Sequence, residues 1–182
     1  MESLPMFRWL MTTAVLLAAS PSLATTLPNR PVSQLDMARY AGQWHEIAHL
    51  PMFFERSCVS AVTATYTPRA DGTIKVHNAC RTKHGIKTVD GTARTDPGQP
   101  AELKVRFIPG SLSWLPDAWA DYWVIAVDAD YQWAVIGSPS RKYLWILARR
   151  PGMRHALFQT IIERARQQGY DVNKLMLMAP LD

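Results

Sequence analysis

The chain has 182 residues, of which 48% are apolar and 19% charged, and its net charge is +5. This length predicts a single domain with a sizeable core, and the apolar fraction excludes an intrinsically disordered chain. The cations are scattered along the sequence, so we interpret the charge as a solvated surface. No internal repeat is visible, which argues against solenoids and propellers.

Residues 1–24 have the pattern of a secretory signal. Arg8 precedes an uncharged, mostly apolar run over residues 9–19, and small residues at 22 and 24 indicate cleavage after Ala24. The run is shorter than the ~20 residues that a membrane-spanning helix needs. We therefore predict a signal peptide over 1–24 and one exported domain over 25–182, for which we expect no nucleic-acid partner.

Strand patterns dominate the exported domain. A short helical turn, capped by Ser33 or Asp36, is predicted before Tyr40. Runs rich in β-branched and aromatic residues then alternate with turn residues at short intervals, which is typical of an antiparallel sandwich or barrel. We predict eight strands, over residues 43–50, 59–67, 73–80, 87–95, 102–108, 122–128, 132–138 and 143–149, with turns at 68–72, 96–98, 109–110, 128–130 and 138–140.

The apolar period changes near the C-terminus. Apolar residues recur at helical spacing over 153–168, and Gly169 follows where a helix is expected to end. Residues 172–179 return to strand character. The predicted order is therefore eight strands, one helix and a short final strand.

Cys58 and Cys80 are predicted to form a disulfide, because two cysteines in an exported chain are more often bridged than free. If residues 68–72 are the loop of a hairpin, residues whose numbers sum to about 138 face each other, and these two satisfy that sum. The alternatives are two separate thiols or a catalytic nucleophile, although the sequence offers no defined histidine partner.

Three motifs in order resemble those of the lipocalin family. They are Gly42-Gln43-Trp44, similar to the Gly-x-Trp signature, Asp130-Tyr131, similar to the second motif, and Arg149, similar to the arginine of the third. The helix and short strand follow in the same order, so the resemblance covers about residues 33–180. Stretches at 44–48, 54–56, 62–66, 143–147 and 169–172 resemble the bacterial outer-membrane lipocalins of the Blc type.

The resemblance implies an all-β fold, an eight-stranded antiparallel up-and-down barrel shaped as a calyx, with a C-terminal α-helix and a short final strand. In such a fold Trp44 closes the bottom and Arg149 stacks on it, so we assign the motif residues to structure. Bacterial relatives usually begin with a lipidated cysteine, and this chain has none near the predicted cleavage point. We therefore expect a periplasmic protein without that anchor, at most peripheral to the outer membrane.

Alternation along the strands, combined with the family register, predicts a ligand cavity. An inward Trp44 places Glu46 and Ala48 inward, and the predicted role of Glu46 is left open between a cation of the wall, a polar head group and water. On the eighth strand the inward residues are Leu147, Trp145 and Tyr143. The family register adds Val105, Phe107, Tyr122, Val124, Ala126, Val76 and Asn78, and the mouth loop adds Phe53 and Phe54. The alternative is a packed core.

This predicted lining is mostly apolar and suits an acyl chain. The resemblance implies a carrier that holds a fatty acid or lysophospholipid, for lipid storage, transport and membrane maintenance, with contact to a membrane surface and a homodimer left open. No cofactor or metal is expected. The alternatives are an enzyme acting on a lipid and a pigment or siderophore binder. His45 and His49 are predicted to point outward, and the lining offers no lysine or arginine.

Overall fold

The computed structural model describes residues 26–96, 98–107 and 119–182. The predicted signal peptide lies outside these residues, as do Pro97, Ile108 and the predicted turn at 109–110. The elements are α1 (Met37–Tyr40), β1 (Gly42–His49), β2 (Ser60–Pro68), β3 (Ile74–Thr82), β4 (Gly85–Asp96), β5 (Gln99–Arg106), β6 (Ala120–Val127), β7 (Trp133–Gly137), β8 (Leu144–Ala148), α2 (His155–Gln167) and β9 (Met176–Leu177).

The first eight strands form a closed antiparallel barrel. Each strand pairs with the next, and β1 pairs with both β2 and β8, which closes the sheet into a barrel. The predicted fold class is thereby confirmed. The final strand is shorter than predicted, because a 3-10 turn over Val172–Lys174 precedes β9, which adds to the end of β1. Within the described ranges, no helix is both long and apolar enough to cross a membrane.

Two hydrophobic cores lie on opposite sides of the barrel wall. The inner core fills the closed end and contains Trp44, Leu103 and Val124. The outer core lies beneath α2, whose helical period buries Phe158 and Ile161. The wall is therefore buried on both faces where the helix covers it.

Two inserted residues exchange the faces of β1 and β6. In β1, Glu46 pairs with Leu147 but Ala48 pairs with Ile146, so Ile47 is an extra residue. Because paired residues face the same side, such a bulge turns every later side chain to the other face. Beyond it Ala48 joins the outer core, and His49, paired with Trp145, faces inward. The predictions that Ala48 faces inward and that His49 faces outward are thus wrong.

 The same holds for β6, where Val124 pairs with Ile136 but Ala126 pairs with Val135, so Ile125 is inserted. Ala126 therefore lies in the outer core rather than in the barrel interior where strict alternation predicts it.

The closed end of the barrel is built around Trp44, which is fully buried. Its indole nitrogen donates to the Tyr40 carbonyl (2.8 Å), and the Arg149 guanidinium stacks 3.8 Å from the centre of its ring. The same guanidinium donates to five backbone carbonyls, those of Arg39, Tyr40, Ala41, Gln43 and Tyr131. Arg149 thus ties α1, β1 and the loop after β6 together beneath the barrel. Of the two predicted caps of α1, Asp36 is the one used, accepting from Ala38 and Arg39.

The hairpin of β2 and β3 differs in register from the prediction. From Thr63 onward, the numbers of paired residues sum to 142, as in Thr63 with Ala79, rather than to 138. The disulfide between Cys58 and Cys80 is present, with 5.6 Å between the Cα atoms. Cys58 lies before β2, however, and reaches Cys80 past a bulge at Ala61, whose φ of 51° bends the strand. The predicted disulfide is therefore confirmed, whereas the hairpin register from which it was argued is wrong.

Candidate ligand cavity

A cavity of about 500 Å³ lies in the barrel between the packed floor and the mouth. Most of the side chains predicted from the sequence meet there: Glu46, Phe53, Phe54, Val76, Asn78, Val105, Phe107, Tyr122, Tyr143, Trp145 and Leu147. Val124 also faces inward, but it is packed in the floor beneath the cavity. The side chains of Ala48 and Ala126 face the outer core rather than the cavity because of the two bulges.

Three tyrosines form a hydrogen-bonded chain at the floor. The Tyr122 hydroxyl lies 2.7 Å from the hydroxyl of Tyr40 and 2.7 Å from that of Tyr66. Burial raises the pKa of each of the three phenols, so all remain neutral and able to donate. The two hydrogen bonds use two of the three hydroxyl hydrogens, so one hydrogen remains to be donated elsewhere. Of the three tyrosines, Tyr66 and Tyr122 line the cavity.

An ion cluster crosses the cavity wall where β1 meets the mouth loop. His49 Nδ1 lies 2.5 Å from Glu46 Oε1 and 2.7 Å from Glu55 Oε2. Trp145 Nε1 donates to the other oxygen of Glu55 at 3.1 Å. The His49 and Glu46 side chains are 3% and 5% exposed, so little water competes for these contacts. Glu46 therefore meets a cation from the wall, one of the three roles considered above.

The cluster shifts the titration of its members. Burial raises the pKa of Glu46 to about 7, helped by the charge of Glu55 and opposed by the hydrogen bond from His49. Burial also works against a charged His49, but its hydrogen bond to Glu46 and the negative charges of Glu46 and Glu55 outweigh it and raise the pKa of His49 to about 9. The imidazole is therefore protonated at neutral pH. The potential metal-ligand atoms of Glu46, His49 and Glu55 lie within 4.8 Å of one another, and a protonated His49 would repel a metal cation there.

Sequence reasoning missed several side chains of the site. Val62, Ala64 and Tyr66 line the cavity from β2, and their spacing of two is a signal that strand alternation could have used. Glu55 belongs to an irregular loop, where no period indicates the direction of a side chain. His49 faces inward only because of the Ile47 bulge, which leaves no mark in the composition of the strand.

The mouth of the cavity carries exposed apolar side chains. Phe53 and Phe54 of the loop after β1 are 72% and 43% exposed, and Phe107 is 38% exposed. Phe107 folds over Gly91 of β4, where a Cβ atom would lie 2.6 Å from its ring. Gly91 thus makes room for an aromatic ring at the rim of the cavity.

Comparison with known proteins identifies the fold and the relatives. The model of the lipocalin-like domain matches residues 35–180. The chain is 42% identical over 147 residues to temperature-induced lipocalin-1 of Arabidopsis thaliana, covering 79% of this chain and 78% of that protein. It is 35% identical over 171 residues to the outer membrane lipoprotein Blc of Citrobacter freundii, covering 90% of this chain and 92% of that protein, which confirms the resemblance to the Blc type.

Among solved structures, insecticyanin of the tobacco hornworm Manduca sexta superposes with a TM-score of 0.64 at 20% identity, covering 86% of each chain. This likeness concerns the fold alone. With most of its length matched by the domain model and by relatives more than 30% identical, the chain belongs to the lipocalin family.

Proposed function

We propose that the protein is an exported carrier that holds a single-chain lipid, a fatty acid or a lysophospholipid, in its barrel for storage or transport. The observation that carries this proposal is the apolar cavity of about 500 Å³ above a packed floor. Val76, Val105 and Leu147 offer it an aliphatic wall, and Trp145 and Phe107 offer aromatic faces. An acyl chain is the ligand class that such a lining suits.

The energy of such binding is sufficient. Burying an acyl chain contributes about 0.8 kcal/mol per methylene, so ten methylenes contribute about 8 kcal/mol before the entropy of association is subtracted. Micromolar dissociation constants correspond to about 8 kcal/mol, so a chain somewhat longer than ten methylenes, or a polar contact at its head, supplies what association costs.

Export and a membrane context fit the same proposal. The signal pattern of residues 1–24 and the disulfide are typical of an exported chain. Similar proteins of Citrobacter freundii and Escherichia coli are named outer membrane lipoproteins. The exposed rings at the mouth and the net charge of +5 would favour contact with an anionic membrane surface during lipid transfer. We propose binding rather than catalysis, because both cysteines are consumed by the disulfide.

The first test is ligand binding by the delipidated protein. We expect saturable one-to-one binding of palmitate or of a palmitoyl lysophospholipid, followed by the change in tryptophan emission as Trp145 is covered. Ala64→Phe places a ring in the cavity and should weaken binding about tenfold or more, because the ring occupies volume that the acyl chain needs.

Ala156→Phe on the exposed face of α2 is the matched control and should bind as the wild-type protein does. If neither lipid binds a folded and delipidated sample, the carrier proposal is wrong. Unchanged binding by the folded Ala64→Phe variant would place the ligand outside the cavity.

A further inference from the structure

The cavity holds acceptor atoms that lack donors. Among the described residues, two buried side-chain oxygens without a hydrogen-bond partner are Glu55 Oε2 and Asn78 Oδ1, and both residues line the cavity. Each atom can accept a hydrogen bond and neither can donate one. A ligand that brings N–H or O–H groups would therefore satisfy atoms that the protein leaves unsatisfied.

A count of hydrogens explains the state of Glu55. Nδ1 of His49 is close to oxygens of both Glu46 and Glu55, but a ring nitrogen carries only one hydrogen. That hydrogen is donated to Glu46, and the donor from Trp145 goes to Oε1 of Glu55. Oε2 of Glu55 is left with an ion pair but without a hydrogen bond.

The charged side chains that line the cavity also favour a ligand with hydrogen-bond donors and a positive charge. The cluster contains two carboxylates and one imidazolium, so it carries an excess of negative charge when all three are ionised. The other charged lining residues are Lys87, which is exposed and donates to Ser57 Oγ at 3.1 Å, and Asp121, which pairs with Lys104. The buried charges act more strongly on a ligand than these screened ones, because less water surrounds them.

We propose that the cavity selects single-chain amphiphiles whose head group is a protonated amine and disfavours those that end in a carboxylate. The inference rests on the proposed function and narrows its ligand class. An ammonium group supplies three N–H donors and a positive charge, whereas a carboxylate supplies only acceptors and a charge of the wrong sign. The ammonium can belong to a simple long-chain amine or to the head group of a lysophospholipid.

The selectivity runs against the charge of the whole protein. A net charge of +5 attracts anions at long range, so it favours a carboxylate ligand over an amine. A preference for the amine must therefore arise within the cavity. Added salt screens the long-range attraction but has little effect on contacts in a buried site, so the preference should persist or grow as salt is raised.

The experiment compares ligands that share one alkyl chain. Decylamine, decanoate and decyltrimethylammonium are titrated into the delipidated protein by calorimetry near pH 7.5, where the amine is protonated and the acid is ionised. We expect decylamine to bind about tenfold more tightly than decanoate, or better. Decyltrimethylammonium has the charge without N–H donors and should lie between them.

A second pair of ligands tests the source of the ammonium. Lysophosphatidylethanolamine and lysophosphatidylglycerol with the same acyl chain differ in whether the head group carries an amine. Tighter binding of the ethanolamine lipid supports a phospholipid source. Equal binding of the two lysophospholipids would contradict a phospholipid as the source of the ammonium group and would favour a simple long-chain amine.

Variants assign the preference to the cluster. Glu55→Gln and Glu46→Gln each remove one negative charge and should reduce the amine preference about threefold or more. Glu102→Gln makes the same carboxylate-to-amide change on the outer face of β5, between the buried residues Ala101 and Leu103. This control variant should leave the amine preference unchanged. Because the ligand comparison on the unmodified protein needs no variant, it stays decisive even if a cluster variant fails to fold.

The outcomes separate the two proposals. If decanoate binds as tightly as decylamine or more tightly, the head-group inference is overturned while the carrier function stands. If an amine preference survives in both cluster variants, its assignment to Glu46 and Glu55 is overturned. If none of these ligands binds and palmitate also fails to bind, the carrier function is wrong. If palmitate alone binds, the head-group inference is overturned.

Discussion

At the scale of single residues, Arg149 makes more contacts at the closed end of the barrel than its partial exposure would suggest. Its guanidinium is only partly buried, yet it donates to five backbone carbonyls and stacks on Trp44. A planar fork of donors can satisfy carbonyls that lie in several directions, whereas a lysine offers one compact charged group. The identity of the residue therefore matters more than its charge.

We expect Arg149→Ala to lower the free energy of unfolding by about 3 kcal/mol and Arg149→Lys by about 2 kcal/mol, because hydrogen bonds from a charged donor are lost in each. Urea denaturation followed by circular dichroism measures both. Arg150→Ala, at the exposed neighbouring position, should change stability by less than about 0.5 kcal/mol. If Arg149→Lys were as stable as the wild-type protein, charge alone would account for the role.

At the scale of elements, the disulfide holds the mouth loop to β3. Cys58 and Cys80 are 22 residues apart and both line the cavity, so the bond closes a hairpin and forms part of the cavity wall. In the chain-entropy account, such a bond stabilises the fold by restricting the unfolded chain.

Replacing both cysteines by alanine should lower the free energy of unfolding by about 3 kcal/mol. Thermal or urea denaturation measures the loss, and the wild-type protein reduced with a thiol is the matched control, which should lose a similar amount. An unchanged stability in both samples would mean that the loop is already ordered in the unfolded chain.

The strands and the helix also show how much of this structure could be predicted from the sequence. Turn residues and period two located the eight strands, and period 3.6 located α2, because burial on one face imposes these periods. Ile47 and Ile125 could not be recognised as insertions, since an isoleucine in a bulge looks like any other strand residue. Glu55 was missed because its direction depends on the fold of a loop rather than on a period. Most of the apolar lining was predictable, and the charged cluster was not.

At the scale of the whole molecule, the ion cluster couples stability to pH. Glu46 and His49 both hold their protons more tightly in the folded protein, with pKa values raised from 4.5 to about 7 and from 6.5 to about 9. Where the folded state binds more protons than the unfolded state, stability falls as the pH rises. For Glu46 this window runs from 4.5 to about 7, and for His49 it runs from 6.5 to about 9.

We expect the contribution of His49 to be fully present below about pH 6.5 and lost as the pH rises through about 9. His49→Gln should therefore abolish most of the fall in stability between about pH 7 and 9, measured as urea midpoints across that range. His84→Gln, at an exposed position, should keep the wild-type profile. Parallel profiles for His49→Gln and the wild-type protein would contradict the assignment.

The insertion of Ile47 also affects how residue roles transfer between relatives. Counting alternate positions from Trp44 gives the correct face only as far as Glu46, and Ala48 is the first position at which the count fails. In a homologue without the insertion, the residue aligned with Ala48 would face the cavity. Identical letters in an alignment would then have opposite roles, one facing the ligand and the other facing the helix. In evolutionary terms, one added residue exchanges the inner and outer faces of a strand end without a single substitution.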